Sequence, residues 1–223
     1  MAAMSNDTPR TIVITGAGRG LGLGLARCFA ATDRLIGTAR RPDGADELAS
    51  AAERVIELDV TDDDSIAAMA AALADVGPID VLVNNAGIDA RALRSGDDRE
   101  RGRGFFDTGR HDVLGQVDVN AVGPLLVTRS LLPQLEAGGG GLVVNISSQL
   151  GSMEVGARMG RDLGYNASKA ALNMVTVRAA AELADRGVAV VAIHPGWVQT
   201  DMGGPAAQLT VEESARAIVD TVG

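Results

Sequence analysis

Aromatic side chains are scarce. Three phenylalanines, one tyrosine and one tryptophan are all that 223 residues contain. Large rings therefore cannot fill the interior, and Ala, Val, Leu and Gly dominate, a composition suited to helices packed closely on a parallel sheet. Cysteine occurs once, at Cys28, which excludes an intrachain disulfide. Cys28 falls in a helical pattern and reads as packing. Two histidines and one cysteine, far apart, argue against a structural zinc site, so no metal is expected. Positive charge is in deficit: 20 Lys and Arg against 29 Asp and Glu leave −9. That argues against a nucleic-acid backbone or an anionic membrane as the main partner. A local group of arginines could still oppose the global field and hold an anionic cofactor. No uncharged apolar run approaches the roughly 20 residues that span a bilayer. Met1–Pro9 lacks the apolar stretch of a secretory signal, so a cytoplasmic protein is expected.

What is present is alternation. Short apolar bursts at Thr11–Thr15, Leu35–Ala39, Arg54–Leu58, Ile79–Asn84, Leu142–Ser147 and Val188–His194 predict six strands. Helix-length segments separate them, among them Asp62–Val76, capped by Thr61 or Asp62, and a long helix from about Tyr165 to Arg186. Near-continuous apolar strands bounded by helices imply a parallel sheet covered on both faces. Asp89–Arg110 and Gln149–Gly164 read as irregular. A tail over residues 1–10 and one domain over 11–223 are expected.

Thr15-Gly16-Ala17-Gly18-Arg19-Gly20-Leu21-Gly22 joins the first strand to the first helix. Glycines there allow a tight turn and the close approach of a pyrophosphate, and the helix N-terminus offers free N–H groups. The second strand ends Thr38-Ala39-Arg40-Arg41, with no carboxylate to accept from an adenosine ribose. A 2′-phosphate would meet Arg40 or Arg41, with Arg19 on the other side, so NADP(H) is the expected cofactor. The plainer alternative is that Arg41, with or without Arg40, is a solvated surface charge. Asn84-Asn85-Ala86-Gly87 ends the fourth strand where sheet order reverses, and small residues there leave room for the cofactor.

The single tyrosine lies in Tyr165-Asn166-Ala167-Ser168-Lys169. A spacing of four puts phenol and ammonium on one helical face. The nearby cation should lower the phenol pKa from its ordinary value of about 10 toward working pH. Upstream, Asn145-Ile146-Ser147-Ser148 ends the fifth strand, and either hydroxyl could polarise a carbonyl. Downstream, His194-Pro195-Gly196-Trp197-Val198-Gln199-Thr200 follows the sixth.

With these six features in order, the chain resembles the short-chain dehydrogenase/reductase family from about Thr11 to Val222. Ser147-Ser148-Gln149-Leu150-Gly151-Ser152, Tyr165 to Asn173, and Gly196 to Pro205 are similar to the C-factor-like and sniffer-like carbonyl reductases. The resemblance implies a single-domain, doubly wound α/β Rossmann sheet with strand order 3-2-1-4-5-6. It implies catalysis by Asn120, Ser148, Tyr165 and Lys169, with Ser148 chosen over Ser147 and Asn120 in a water-mediated proton relay. It implies cofactor contacts from Gly16, Arg19, Gly20, Leu21, Arg40, Arg41, Asp59, Val60, Asn85, Ala86, Gly87, Tyr165, Lys169, Pro195, Gly196, Val198 and Thr200. Asp59 and Val60 would meet the adenine, although Asp59 could also cap a helix. Pro195, Gly196 and Thr200 would cradle the carboxamide. Asn120 read without the family is a buried amide satisfying backbone.

The implied activity is hydride transfer between NADP(H) and a small carbonyl or alcohol substrate. Leu150, Met153, Met159, Trp197 and Met202 could line its pocket. A cofactor-retaining epimerase or dehydratase and a non-turnover NADP-binding signalling protein are the alternatives. The family's usual seventh strand has no counterpart after Val211–Val222. The sixth strand would then be an edge, to be covered by a partner or by the C-terminal helix. A homodimer through the helices bearing Asn120 and Tyr165 is expected by analogy.

Overall fold

A computed structural model of the protein describes residues 9–159 and 162–222. Eight residues of the expected N-terminal tail, two of the Gln149–Gly164 segment and the last residue lie outside that range. Six strands form one sheet: β1 (Thr11–Ile14), β2 (Arg34–Ala39), β3 (Arg54–Glu57), β4 (Val81–Asn84), β5 (Leu142–Ile146) and β6 (Ala189–Ile193). All neighbouring pairs are parallel, in the order β3-β2-β1-β4-β5-β6. This is the predicted Rossmann arrangement. The described helices are α1 (Gly20–Phe29), α2 (Asp46–Ala51), α3 (Asp63–Ala72), α4 (Arg110–Val117), α5 (Gly123–Ser130), α6 (Leu132–Ala137), α7 (Met153–Arg158), α8 (Leu163–Leu183) and α9 (Val211–Val222).

Strand alternation divides the core between two faces. Ile12, Ile14, Leu35, Val83 and Val144 meet Leu25 and Phe29 of α1, Leu48 of α2 and Ile218 of α9. Val13, Ile36, Leu82 and Val143 meet Ile66 and Met69 of α3, Val127 of α5 and Leu135 of α6. Each fully buried apolar side chain contributes about 1.5–3 kcal/mol, and apart from Phe29 and Met69 these core residues are aliphatic. Cys28 packs, half-buried, against the first cluster.

Helix ends follow local chemistry. Asp62, not Thr61, caps α3, accepting from Asp64 N at 3.0 Å. That helix stops at Ala72, short of the predicted Val76, and the chain turns through Gly77 at φ +83°. α8 ends in a one-turn 3-10 helix at Ala184–Arg186 and a left-handed Gly187, with Val188 N returning to Leu183 O. The irregular Gln149–Gly164 segment contains the short helix α7, started by Ser152, whose hydroxyl accepts from Val155 N.

β6 is an edge of the sheet, and Ala189, Val191 and Ala192 remain exposed on it. The C-terminal helix goes elsewhere: α9 packs on α1, where a Cβ on Gly24 would fall 2.4 Å from Val211. Arg10, the last residue of the expected tail, forks onto Asp33.

Candidate active site

Because every strand is parallel, all carboxyl ends lie on one rim, where α/β sheets bind ligands. The predicted site residues follow β1 through β6 along that rim. The turn after β1 is built from backbone. Gly16 and Gly20 have φ of +64° and +53°, which side-chain-bearing residues rarely adopt. A Cβ on Gly16 would sit 2.9 Å from Ala86 Cα, and one on Gly20 would sit 3.4 Å from Thr200 Cγ2. Asn85 Nδ2 donates to Thr15 O and Gly16 O at 2.9 and 3.1 Å. The turn is thereby hydrogen-bonded to the segment after β4 and lies close to Thr200 after β6.

Arg40 and Arg41 are exposed, and neither forms an ion pair among the described residues. Arg19, expected to face a phosphate, instead meets Asp201 at 2.6 Å. Asp59 does not cap α3; its carboxylate accepts from Thr61 N and Oγ1 at 2.9 and 2.7 Å, and these bonds hold its pKa below the ordinary value. Val60 and Val198 turn their side chains into buried packing, so only their backbone is available to a ligand. Gly196, at φ +85°, leaves no room for a Cβ beside Leu209.

The catalytic candidates converge between β4, β5 and α8. α4 and α5 are joined by a π-helical turn at Asp118–Val122. Pro124 has no N–H to donate to the Asn120 carbonyl, which loosens the helical ladder at that point. Asn120, fully buried, uses its amide three times. Its Oδ1 accepts from Ile88 N at 2.8 Å, and its Nδ2 donates to Ile88 O at 2.8 Å and to Ser168 Oγ at 2.9 Å. A Cβ on Gly87 would meet Asn120 Oδ1 at 3.2 Å and Lys169 Nζ at 3.8 Å, so these groups share one corner. Lys169 Nζ donates to Ile146 O at 2.8 Å.

The two serines after β5 are distinct. Ser147 is buried and its hydroxyl donates to Asn173 Oδ1 at 2.6 Å. Ser148 is half-buried, accepts from Leu150 N at 3.1 Å and faces the Tyr165 phenol closely enough to favour its ionised form. Of the two, Ser148 is the serine that acts on the Tyr165 phenol.

The electrostatics depart from the sequence expectation. Tyr165 is pushed up to about 12, not down. Part of its surface stays open, but protein surrounds the phenol and burial is the largest cause. The Ser148 bond lowers it, while Asp89 and Asp162 raise it further. The Lys169 nitrogen lies 5.7 Å from the ring centroid and spends a proton on Ile146 O. Burial also brings Lys169 down to about 8. Desolvation opposes both charged forms and outweighs the cation expected to favour phenolate.

Residues 10–209 match the family model for short chain dehydrogenases. The chain belongs to the short-chain dehydrogenase family. It is similar to the C-signal of Myxococcus xanthus, with 38% identity over 146 residues, 66% of this chain and 81% of that protein. Among solved structures it resembles the NADPH-bound carbonyl reductase from chicken fatty liver, with a TM-score of 0.84, 30% identity and coverage of 96% and 91% of the two chains. The carbonyl reductase Sniffer of D. melanogaster gives a TM-score of 0.85 and 31% identity, with the same coverage.

This short-chain dehydrogenase also uses residues that its motifs do not reveal. Ser168 links Asn120 to α8, donating to Tyr165 O at 2.8 Å. Asp162 caps α8, accepting from Tyr165 N at 3.0 Å, and Gln116 Nε2 reaches it at 3.3 Å. The only advance signal was an Asp three residues before Tyr165, an ordinary N-cap spacing. The proposed pocket residues are open instead of enclosed: Met153 is 81% exposed, Met159 52% and Trp197 50%. The loop carrying Met202 is tied on two sides, by Asp201 to Arg19 and by Met202 O to Arg91 Nη2 at 2.6 Å.

Proposed function

We propose that this short-chain dehydrogenase is an NADP(H)-dependent oxidoreductase acting on a carbonyl or alcohol carbon of a small organic substrate. The observation that carries the reading is the Tyr165 phenol and the Ser148 hydroxyl acting on one another, with Lys169 Nζ 5.7 Å from the ring and Asn120 sharing the Lys169 corner. The glycine turn on the same rim fits a dinucleotide, since a Cβ on Gly22 would lie 2.3 Å from Gly16 O and close the approach. Arg40 and Arg41, exposed at the end of β2 without a carboxylate between them, fit a 2′-phosphate. The NADPH in the chicken reductase supports the same cofactor.

When bound, the nicotinamide exchanges a hydride with the substrate carbon. Ser148 and Tyr165 hold the carbonyl oxygen between two hydroxyls, and Tyr165 supplies the proton. Lys169, at about 8, can give or take a proton near neutrality. Asn120 fixes the π-helical turn that carries it against Ile88 and α8, and a water relay past Lys169 restores the phenol. Exposed Leu114, Val122, Leu125, Met174 and Val177 on α4, α5, α8 and the π-helical turn support a homodimer through that face.

The test is a panel of aldehydes, ketones and quinones with NADPH and NADH, followed at the nicotinamide absorbance. Turnover of at least one compound with a preference for NADPH is expected. Stoichiometrically retained cofactor without net oxidation would replace the reading with epimerisation or dehydration.

A further inference from the structure

Arg19 stands between two walls. The residue before it, Gly18, lies against the end of β2: a Cβ there would sit 3.5 Å from Ala39 Cβ, and Ala17 N donates to Thr38 O at 2.8 Å. The residue after it, Gly20, lies against Thr200 on the loop that follows β6. A long, flexible side chain at position 19 can therefore turn to either side. Its guanidinium takes the loop, pairing with Asp201 at 2.6 Å. On the β2 side the next residues are Arg40 and Arg41, so a third guanidinium is favoured there only when an anion joins them.

The loop that carries Asp201 is built as one piece. Its base is closed by Gln199 N to Leu209 O at 2.8 Å and Leu209 N to Trp197 O at 3.0 Å. Its tip folds on itself: Gly204 N donates to Thr200 O at 2.8 Å, Gly203 N to Thr200 Oγ1 at 3.1 Å and Trp197 Nε1 to Gly203 O at 2.9 Å. Two arginines reach that tip, from the segments after β1 and β4. Arg91 donates to Met202 O, and the Asp89 carboxylate holds the Arg91 guanidinium at 2.8 and 2.6 Å. Arg19 has one ion pair among the described residues, and its side chain and that of Asp201 are 75% and 84% exposed. An ion pair so exposed is weak, so the Arg19 tie is the one open to exchange.

We propose that Asp201 sets the discrimination between dinucleotides with and without a 2′-phosphate, by competing with that phosphate for Arg19. A phosphate dianion offers oxygens for forked, charge-assisted hydrogen bonds, which outmatch an exposed carboxylate. With such an anion beside Arg40 and Arg41, Arg19 turns from Asp201 to the β2 side, and the tip of the loop is released from the glycine turn. A dinucleotide without the 2′-phosphate leaves the pair in place. Asp201 is thus a positioning residue, acting on the ligand through Arg19. This inference rests on the NADP(H) reading above.

The test isolates the 2′-phosphate from the rest of the coenzyme. Adenosine 2′,5′-bisphosphate and AMP differ only in that group, and their affinities for the full chain are read by calorimetry at low salt, where exposed charges are least screened. Asp201→Asn frees Arg19 and should tighten the bisphosphate about threefold, with AMP unchanged. Asp201→Glu should restore the wild-type value. Arg19→Gln should weaken the bisphosphate about tenfold. In that background Asp201→Asn should have no effect, because the competition needs the guanidinium, whereas a plain repulsion between Asp201 and the phosphate would persist. Trp197, the sole tryptophan and bonded to the loop at Gly203 O, gives a second readout. Its fluorescence in the ligand-free chain should shift on Asp201→Asn, and the bisphosphate, but not AMP at equal occupancy, should produce the same shift in the wild type. Equal tightening of AMP, tightening that survives Arg19→Gln, or a Trp197 signal that Asp201→Asn leaves unmoved would overturn the exchange. So would a wild-type preference for the bisphosphate that Asp201→Asn does not alter. If the bisphosphate binds no tighter than AMP in the wild type and in every variant, the NADP(H) reading itself fails and takes the exchange with it.

Discussion

On the β1–β3 side of the rim, the shape offered to a cofactor is made by backbone: Gly16 and Gly20 in left-handed conformations, and Gly22 pressed against Gly16 O. The side chains there are either turned inward, like Val60, or exposed, like Arg40 and Arg41. On the β4–β6 side the relation is reversed. Asn120, Ser168, Lys169, Ser148 and Tyr165 act through side chains, most of them buried and tied to partners tens of positions away. One half leaves space; the other fixes polar groups in a desolvated corner. The halves should therefore fail in different ways when mutated.

The largest separation is expected from Gly22→Ala. The new methyl would meet Gly16 O at 2.3 Å and Asn85 Nδ2 at 2.5 Å, so the turn must shift. Overpacking of this kind costs about 1–3 kcal/mol in stability. NADPH affinity measured by calorimetry should weaken on the order of a hundredfold, about 2.7 kcal/mol. Fluorine NMR of 3-fluorotyrosine at position 165, the sole tyrosine, should stay near wild type, because the corner around it is held independently. A smaller effect sharpens the same contrast within the binding half. Replacing Arg40 and Arg41 together by Gln should weaken NADPH about tenfold, the loss of one or two charge-assisted hydrogen bonds. NADH affinity should change less than about twofold, since the lost partner is the 2′-phosphate. Equal losses for both cofactors would remove these arginines from the phosphate contact.

The binding half was the more legible in sequence, for a physical reason. A glycine turn between a strand and a helix is local, so Thr15 to Gly22 carries its own geometry. The six strands were legible for the same reason, with ends displaced by a residue or two. Tyr165 and Lys169 were readable because a spacing of four defines one helical face. Their electrostatics were not, because burial depends on what the rest of the chain packs around them. Asp162 accepts from Ala90 N across 72 positions, a bond that exists only once the chain has folded. Nothing local marks such a pair. The π-helical turn at Asn120 had a local sign in Pro124, but its effect depends on α4 and α5 forming one continuous path.

The central claim is that Tyr165 supplies the proton while the β1–β3 rim holds the cofactor. Tyr165→Phe removes one hydroxyl and keeps the ring, so it tests that division most directly. With a carbonyl substrate identified from the panel, kcat should fall by about a thousandfold, the scale of a lost general acid. NADPH affinity, read by quenching of Trp197 or by calorimetry, should stay within about twofold of wild type. Turnover by Tyr165→Phe at the wild-type rate would contradict the account.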